Sequence, residues 1–259
     1  MTLRVAILGP GRAGRSLANA LTAGGIEVIG LIGRDQPIGP ADVVLITVRD
    51  DDLPAALDTL STLPAGVVVL HASGVTDVQP VEGHPTGTFH PLVPLANPET
   101  GASLLRDAWI GVDGDPAAIA ISRKLAAAIG AHVLIIPPGA KPGYHAAAVI
   151  AANFTAVLAA AAEREMARAG LDPQSAHAAV AHLMRASIAH VAALGPERGL
   201  TGPVARGDVG TIQRNVAALA GDPLVRDLYI SATRIAIELA KAVGTDPERL
   251  CEIEKLLHP

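Results

Sequence analysis

The chain has 259 residues, half of them hydrophobic and 17% charged, with a formal net charge of −5 at pH 7. That is enough apolar material for a sizeable core and enough length for two domains of ordinary size, which excludes a disordered chain. The absence of any basic run or aromatic-studded basic patch argues against nucleic acid, and a single cysteine, Cys251, excludes an internal disulfide and fits a reducing compartment.

The first element is a continuous apolar run, Val5 to Leu8, of the kind that suits a strand buried on both faces of a parallel sheet. It breaks at Gly9-x-Gly11-x-x-Gly14 and resumes with apolar residues at helical spacing. Strand, glycine turn and helix in this order predict a diphosphate cradle. Gly9 permits the tight turn, Gly11 carries no Cβ to obstruct a pyrophosphate, and Gly14 lets the helix pack close to the strand. With Pro10, Arg12 and Ala13, the glycines present backbone N–H groups and the positive end of a helix dipole to the phosphates of a dinucleotide.

Ile26 to Ile32 reads as the second strand, and its end decides which dinucleotide. Arg34 there offers a guanidinium that grips a 2′-phosphate and favours NADP(H), whereas Asp35 one residue on would favour the ribose hydroxyl of NAD(H). Arg34 also has a plainer reading as a solvated loop charge. Further strands are expected at Asp42 to Val48, Gly66 to Leu70, Thr88-Phe89, Trp109 to Val112 and His132 to Ile136. Asp50-Asp51-Asp52 should cap a helix running to about Leu63, and Asp115-Pro116 should open another. This alternation predicts a doubly wound, Rossmann-type parallel sheet of the α/β class.

Pro137-Pro138-Gly139 marks the boundary between a dinucleotide-binding domain, residues 1–138, and an all-helical domain, residues 139–259. Helical periodicity then runs from Pro142 to Ala169, Pro173 to Leu194, Val209 to Ala220, Pro223 to Val243 and Pro247 to Leu257. Three Asp-Pro pairs, at 172, 222 and 246, stand at helix starts. The apolar stretch Ala146 to Ala162 is interrupted by Asn153 and Thr155 and is shorter than the roughly 20 residues of a bilayer span. It reads as a helix buried within the fold or between subunits, no membrane segment is expected, and neither is a secretory signal, so the protein is expected in the cytoplasm.

Ligands of such sheets sit beyond the carboxyl ends of the strands, and the polar residues there are the candidates for chemistry. Val48 and Arg49 follow the third strand and border the nicotinamide half of the cofactor. His71 and Ser73 follow the fourth, Ser73 as a substrate contact, and His90 follows the fifth, where an imidazole can hand over a proton. On the next helix Lys141, His145 and Asn153 fall within a sector of about 120°, so one face can present all three. Each also has a plainer reading, as a solvated charge, a core histidine and an interhelical amide. The loop from Gly199 to Thr211 holds Thr201, Arg206 and Thr211 among glycines, suited to a carboxylate, or is a helix turn capped by Asp208. His177, His182 and His190 read as packing or surface residues, and no metal site is expected.

The glycine turn, HASG, FHPL, KPGYHAAAVIAAN and LTGPVARGDVGT together resemble a bacterial reductase-like family that pairs a Rossmann-like domain with a helical domain of unassigned function. More distantly the chain looks like pyrroline-5-carboxylate reductase, ketopantoate reductase and 6-phosphogluconate dehydrogenase. The resemblance implies hydride transfer from NADPH to a small carboxylated carbonyl compound, with the active site between domains and a homodimer formed through the helical domain. Lys141 and Asn153 are spaced too widely to copy the lysine-asparagine pair of ketopantoate reductases. A cyclic-imine substrate and a non-catalytic NADP(H) sensor are the alternatives.

Overall fold

A computed structural model describes residues 2–34 and 36–258. Five strands, β1 (Arg4–Leu8), β2 (Glu27–Ile32), β3 (Val43–Ile46), β4 (Val68–His71) and β5 (Thr86–Thr88), form one parallel sheet in the order β2-β1-β3-β4-β5. Successive side chains of a strand point to opposite faces, and here both faces are apolar. Val5, Ile7, Val43 and Leu45 therefore enter one core with Leu17, Leu21 and Phe89, while Ala6, Leu8, Val44 and Ile46 enter another with Leu53 and Leu60. Helix α1 (Arg12–Ala23) joins β1 to β2, and the order reverses between β1 and β3, which opens a crevice at their carboxyl ends.

The Rossmann-type sheet is as expected, but it does not take up all the strands. A second sheet holds β6 (His90–Pro91), β7 (Trp109–Val112) and β8 (His132–Ile135), with β6 antiparallel to β7 and β8 parallel to it. Pro91 has no N–H to continue a parallel ladder, and the two sheets are joined at the Gly87–Gly114 bridge, where Thr88 N–H donates to Asp113 O and Asp115 N–H to Thr86 O. Helix α2 is short, Leu53–Asp58, and the aspartates before it form a 3-10 turn with no side-chain cap bond. Helix α3 (Pro98–Leu104), capped by Asn97, was not foreseen. Helix α4 (Pro116–Ala128) starts after Asp115 as expected, yet that carboxylate accepts from Thr86 N at 2.7 Å instead of capping the helix.

The chain divides into compact units at residues 1–154 and 155–259, later than the boundary expected at Pro138. The difference is helix α5 (Lys141–Ala151), whose side chains anchor it to the first unit. The single helix expected from Pro142 to Ala169 is interrupted at Ala152 (φ −105°, ψ −63°), after which α6 (Asn153–Arg168) begins. The second unit is helical throughout, with α7 (Pro173–Gly199), α8 (Val209–Ala218), α9 (Pro223–Ala242) and α10 (Pro247–Leu256). Asp172, Asp208, Asp222 and Asp246 each accept a backbone N–H at a helix start. Ile212, Ile230, Ile237, Leu250 and Ile253 form its core. By length and apolar composition two stretches, Lys141–Arg168 and Pro173–Gly199, are able to cross a membrane. The first is not one rod, and its leading residue is a buried lysine.

Candidate active site

The glycine turn has the geometry its three roles require. Gly9 has φ +113°, a backbone conformation that side chains strain, and Thr47 Oγ1 donates to its carbonyl at 2.8 Å. A Cβ on Gly14 would lie 2.1 Å from Gly9 O, so only glycine lets α1 pack this close. At Gly11 a Cβ would meet nothing within 4 Å, which leaves the mouth of the turn open. Gly11 caps α1 with no side-chain hydrogen bond, and Arg12 is exposed beside it, with Ala13 half-buried behind. These are the features of a phosphate cradle, and the residues fit a dinucleotide.

Next to the turn, beyond the ends of β1, β2 and β3, lies a cavity of about 420 Å³ bordered by Gly9, Gly33, Arg34, Val48 and Asp52. Asp52 pairs with both Arg34 (3.5 Å) and Arg49 (3.2 Å), and the two guanidinium side chains are 81% and 82% exposed. Asp35, the residue that set the alternative reading, lies outside the described residues.

A second polar group gathers at the carboxyl ends of β4 and β5. Lys141, expected on a presenting face, is instead 1% exposed. Its Nζ donates to Thr76 O and Thr88 Oγ1, each at 2.5 Å, and stands 3.4 Å from Asp113 Oδ1. Two hydrogen bonds and one ion pair thus tie the ammonium, and with it α5, to three segments of the first unit. Burial pulls the Lys141 pKa down while Asp113 opposes that pull. One turn on, Tyr144 OH lies 2.7 Å from His90 Nδ1, and the His145 ring stands edge-on to His90 with centroids 6.2 Å apart. Burial, then the neighbouring His145 and Lys141, lower the His90 pKa to about 4. Burial, with help from Asp113, raises Tyr144 to about 12. His71, 4% exposed and 3.4 Å from Thr88 Oγ1, is likewise lowered to about 4 by burial first and Lys141 second.

Two glycines make room for this group. A Cβ on Gly111 would sit 2.1 Å from Tyr144 OH, and one on Gly74 would sit 2.7 Å from His90 Nε2 and 2.9 Å from His145 Nδ1. Of the residues expected from sequence, His90, Lys141 and His145 come together, whereas Asn153 is exposed at the start of α6. Ser73 is engaged locally: its hydroxyl donates to Thr76 Oγ1 at 2.9 Å and accepts from Thr76 N at 3.0 Å. In the second unit Thr201 and Arg206 are exposed, but Thr211 Oγ1 donates to Asp208 and accepts from Arg214, so the capping reading holds for that end of the loop. His177, His182 and His190 are exposed on α7. Tyr144, Asp113, Thr76 and Thr88 were not read as site residues. Only Tyr144 carried a signal, its spacing three residues after Lys141 on one helical face.

A family model described as a domain of unknown function, DUF2520, matches residues 108–249, just over half of the chain. No curated protein matches the sequence. Among solved structures the chain is similar to protein TM1727 from Thermotoga maritima, with 23% identity, a TM-score of 0.76, and coverage of 92% of this chain and 99% of that one. It is also similar to BF3122 from Bacteroides fragilis, provisionally named an NADP oxidoreductase, at 19% identity and a TM-score of 0.74, covering 92% and 98%. A third similar structure is the pyrroline carboxylate reductase of Plasmodium falciparum with NADP bound, at 12% identity and a TM-score of 0.60, covering 94% and 98%.

Proposed function

Because the chain belongs to the DUF2520 family, whose function that description leaves open, we propose a function from its own geometry: an NADP(H)-dependent reductase of a small carboxylated carbonyl compound. A 2-oxo acid of the ketopantoate kind is the concrete case. The observation that carries the reading is the placement of a diphosphate cradle after the carboxyl end of β1 and of a half-buried His90–Tyr144 pair just beyond the carboxyl end of β5. The NADP named for two of the similar proteins supports the same cofactor.

The nicotinamide, when bound, supplies the hydride. The chain's own residues must then manage the proton and the charge. His90 is neutral at physiological pH, so it acts as a hydrogen-bond donor and relay, not as an imidazolium acid. With its pKa raised, Tyr144 keeps its proton, and this reading has it donate to Nδ1, 2.7 Å away, with the ring proton on Nε2. As the carbonyl oxygen gains charge it takes the Nε2 proton, while Tyr144 passes its own to Nδ1; water then reprotonates the phenolate. The same reading gives Asn153 the carbonyl and Arg206, with Thr201, the carboxylate.

Steady-state NADPH oxidation against a panel of 2-oxo acids and cyclic imines tests this reading. Turnover of an oxo acid is the expected result; turnover of imines alone would move the substrate to the pyrroline carboxylate type. Binding of NADPH with silence across the panel would leave a sensor, and no binding of either nicotinamide nucleotide would overturn the proposal.

A further inference from the structure

A relay from Tyr144 through His90 spends the phenol's proton at each turnover, and while product covers Nε2 the replacement cannot return through the ring. The backbone lays out a second way in. Gly87 pairs with Gly114 and His90 with Gly111, both antiparallel, so Thr88 stands opposite Asp113 and donates its N–H to Asp113 O at 3.0 Å. Alternate residues of a strand share a face, so Thr88 with Asp113 and His90 with Gly111 make two rows about 7 Å apart. Helix α5 crosses both. Lys141 Nζ meets Thr88 Oγ1 and Asp113 Oδ1 in the first row, and the Tyr144 hydroxyl fills the space over Gly111 in the second. Asp113 also borders a cavity of about 430 Å³ whose walls include Asp77, Ile119 and Ile135. Its side chain is 15% exposed against 1% for Lys141, which makes the carboxylate the link between that cavity and the buried ammonium. As a mere tie for α5 the ion pair is a poor choice, because apolar side chains of like volume hold buried segments as well or better.

We propose that Asp113 is the proton entry of this site, passing protons from the cavity through Lys141 to Tyr144. The space between the two rows is of the size that one or two waters bridge. In order of transfer, the Tyr144 phenolate takes a proton from bridging water, and that water takes one from the Lys141 ammonium. The amine takes one from the Asp113 carboxyl group, which regains it from water or a buffer acid in the cavity. The sum is one proton moved inward, with its conjugate base left in the cavity. The first transfers run downhill, from an ammonium whose pKa burial pulls down to a phenolate whose pKa burial pushes up to about 12. Asp113 acts on the reaction only through Tyr144, so this inference rests on the relay proposed above.

Exchange of the Tyr144 hydroxyl proton with water, followed by NMR on the full chain, tests the path with no cofactor bound. The chain has two tyrosines, and Tyr229→Phe leaves a single phenol to observe. In that background Asp113→Asn is expected to slow the exchange roughly tenfold or more, and imidazole, added at fixed pH, to restore it in proportion to its concentration. Asp113→Glu, which keeps the carboxylate, is expected to retain most of the original rate. In turnover of whichever panel substrate is reduced, Asp113→Asn should lower kcat with KM nearly unchanged, and imidazole should recover it. If Asp113→Asn unfolds because its lysine is left unpaired, Asp113→Asn combined with Lys141→Met removes both charges and faces the same two measurements. Exchange that is not slowed, or slowing that imidazole does not relieve, overturns the inference. Silence of the wild-type chain across the substrate panel overturns the reductase reading instead, while the exchange measurement still decides the proton path.

Discussion

Two imidazoles held without charge, His71 buried and His90 half-buried, shape the acid limb of this protein's stability. His71 and His90 titrate near about 4 in the folded chain against an ordinary value of 6.5, through burial first and neighbouring cationic groups second. Between those values the unfolded chain binds protons that the native chain refuses, so stability is complete above 6.5 and falls as the pH drops toward 4. For His71, which is nearly inaccessible, the loss by pH 5 should be about 2 kcal/mol. Urea midpoints at pH 7 and pH 5 measure it, and His71→Asn should flatten the difference. Tyr144→Phe tests the relay separately. It should lower kcat roughly 10- to 100-fold with KM and NADPH affinity nearly unchanged, and nitrogen shifts of His90 should lose the Nε2–H form. Unchanged kcat would remove the phenol from the chemistry. His90 and His145 were visible in sequence as candidate histidines, but that Lys141 is a buried tie rather than a presented amine was not. Its three polar partners lie 28, 53 and 65 positions away.

At the scale of elements, β1, β3 and β4 were legible because burial on both faces leaves no polar positions to confuse the pattern, and the edge strand β2 because its apolar run follows the first helix directly. Helix α3 and the two-residue β6 were not, since each is too short to establish a period. The interruption at Ala152 left no mark either, because alanine favours a helix on both sides of it. What sets α5 in place is β7: the space that a Cβ of Gly111 would fill holds the Tyr144 hydroxyl. Gly111→Ala should therefore displace α5 and cost about 1 to 3 kcal/mol, read as a lowered melting temperature. Gly143→Ala, on the same helix with open space around it, should instead be neutral or stabilising by up to about 1 kcal/mol. Equal effects would show that α5 is not held through Tyr144.

At the scale of the molecule, α6 has no buried residue, and α7 buries only Ala176, Val180 and Gly199. Yet Val157, Leu158, Leu183 and Ile188 are between 47% and 61% exposed. A helix of 16 residues is marginal in water without a packed face, and apolar patches of this kind mark interaction surfaces. A second copy of the chain is the partner we assign to them, through the helical unit. Light scattering should give a dimer mass, and Leu183→Glu with Ile188→Glu should yield monomers with reduced helicity. A wild-type monomer at micromolar concentration would rule the assignment out.

Sequence by itself determined the Rossmann-type half, the glycine turn between β1 and α1 and the helical second half, because these depend on periodicity and on glycines whose need is local. Tertiary structure alone decided that α5 belongs with the first unit, that Lys141 is spent on internal acceptors, and that Asp52 stands between two arginines. Those facts come from side chains meeting across long stretches of chain, where burial and charge pairing fix the outcome and no local pattern records it.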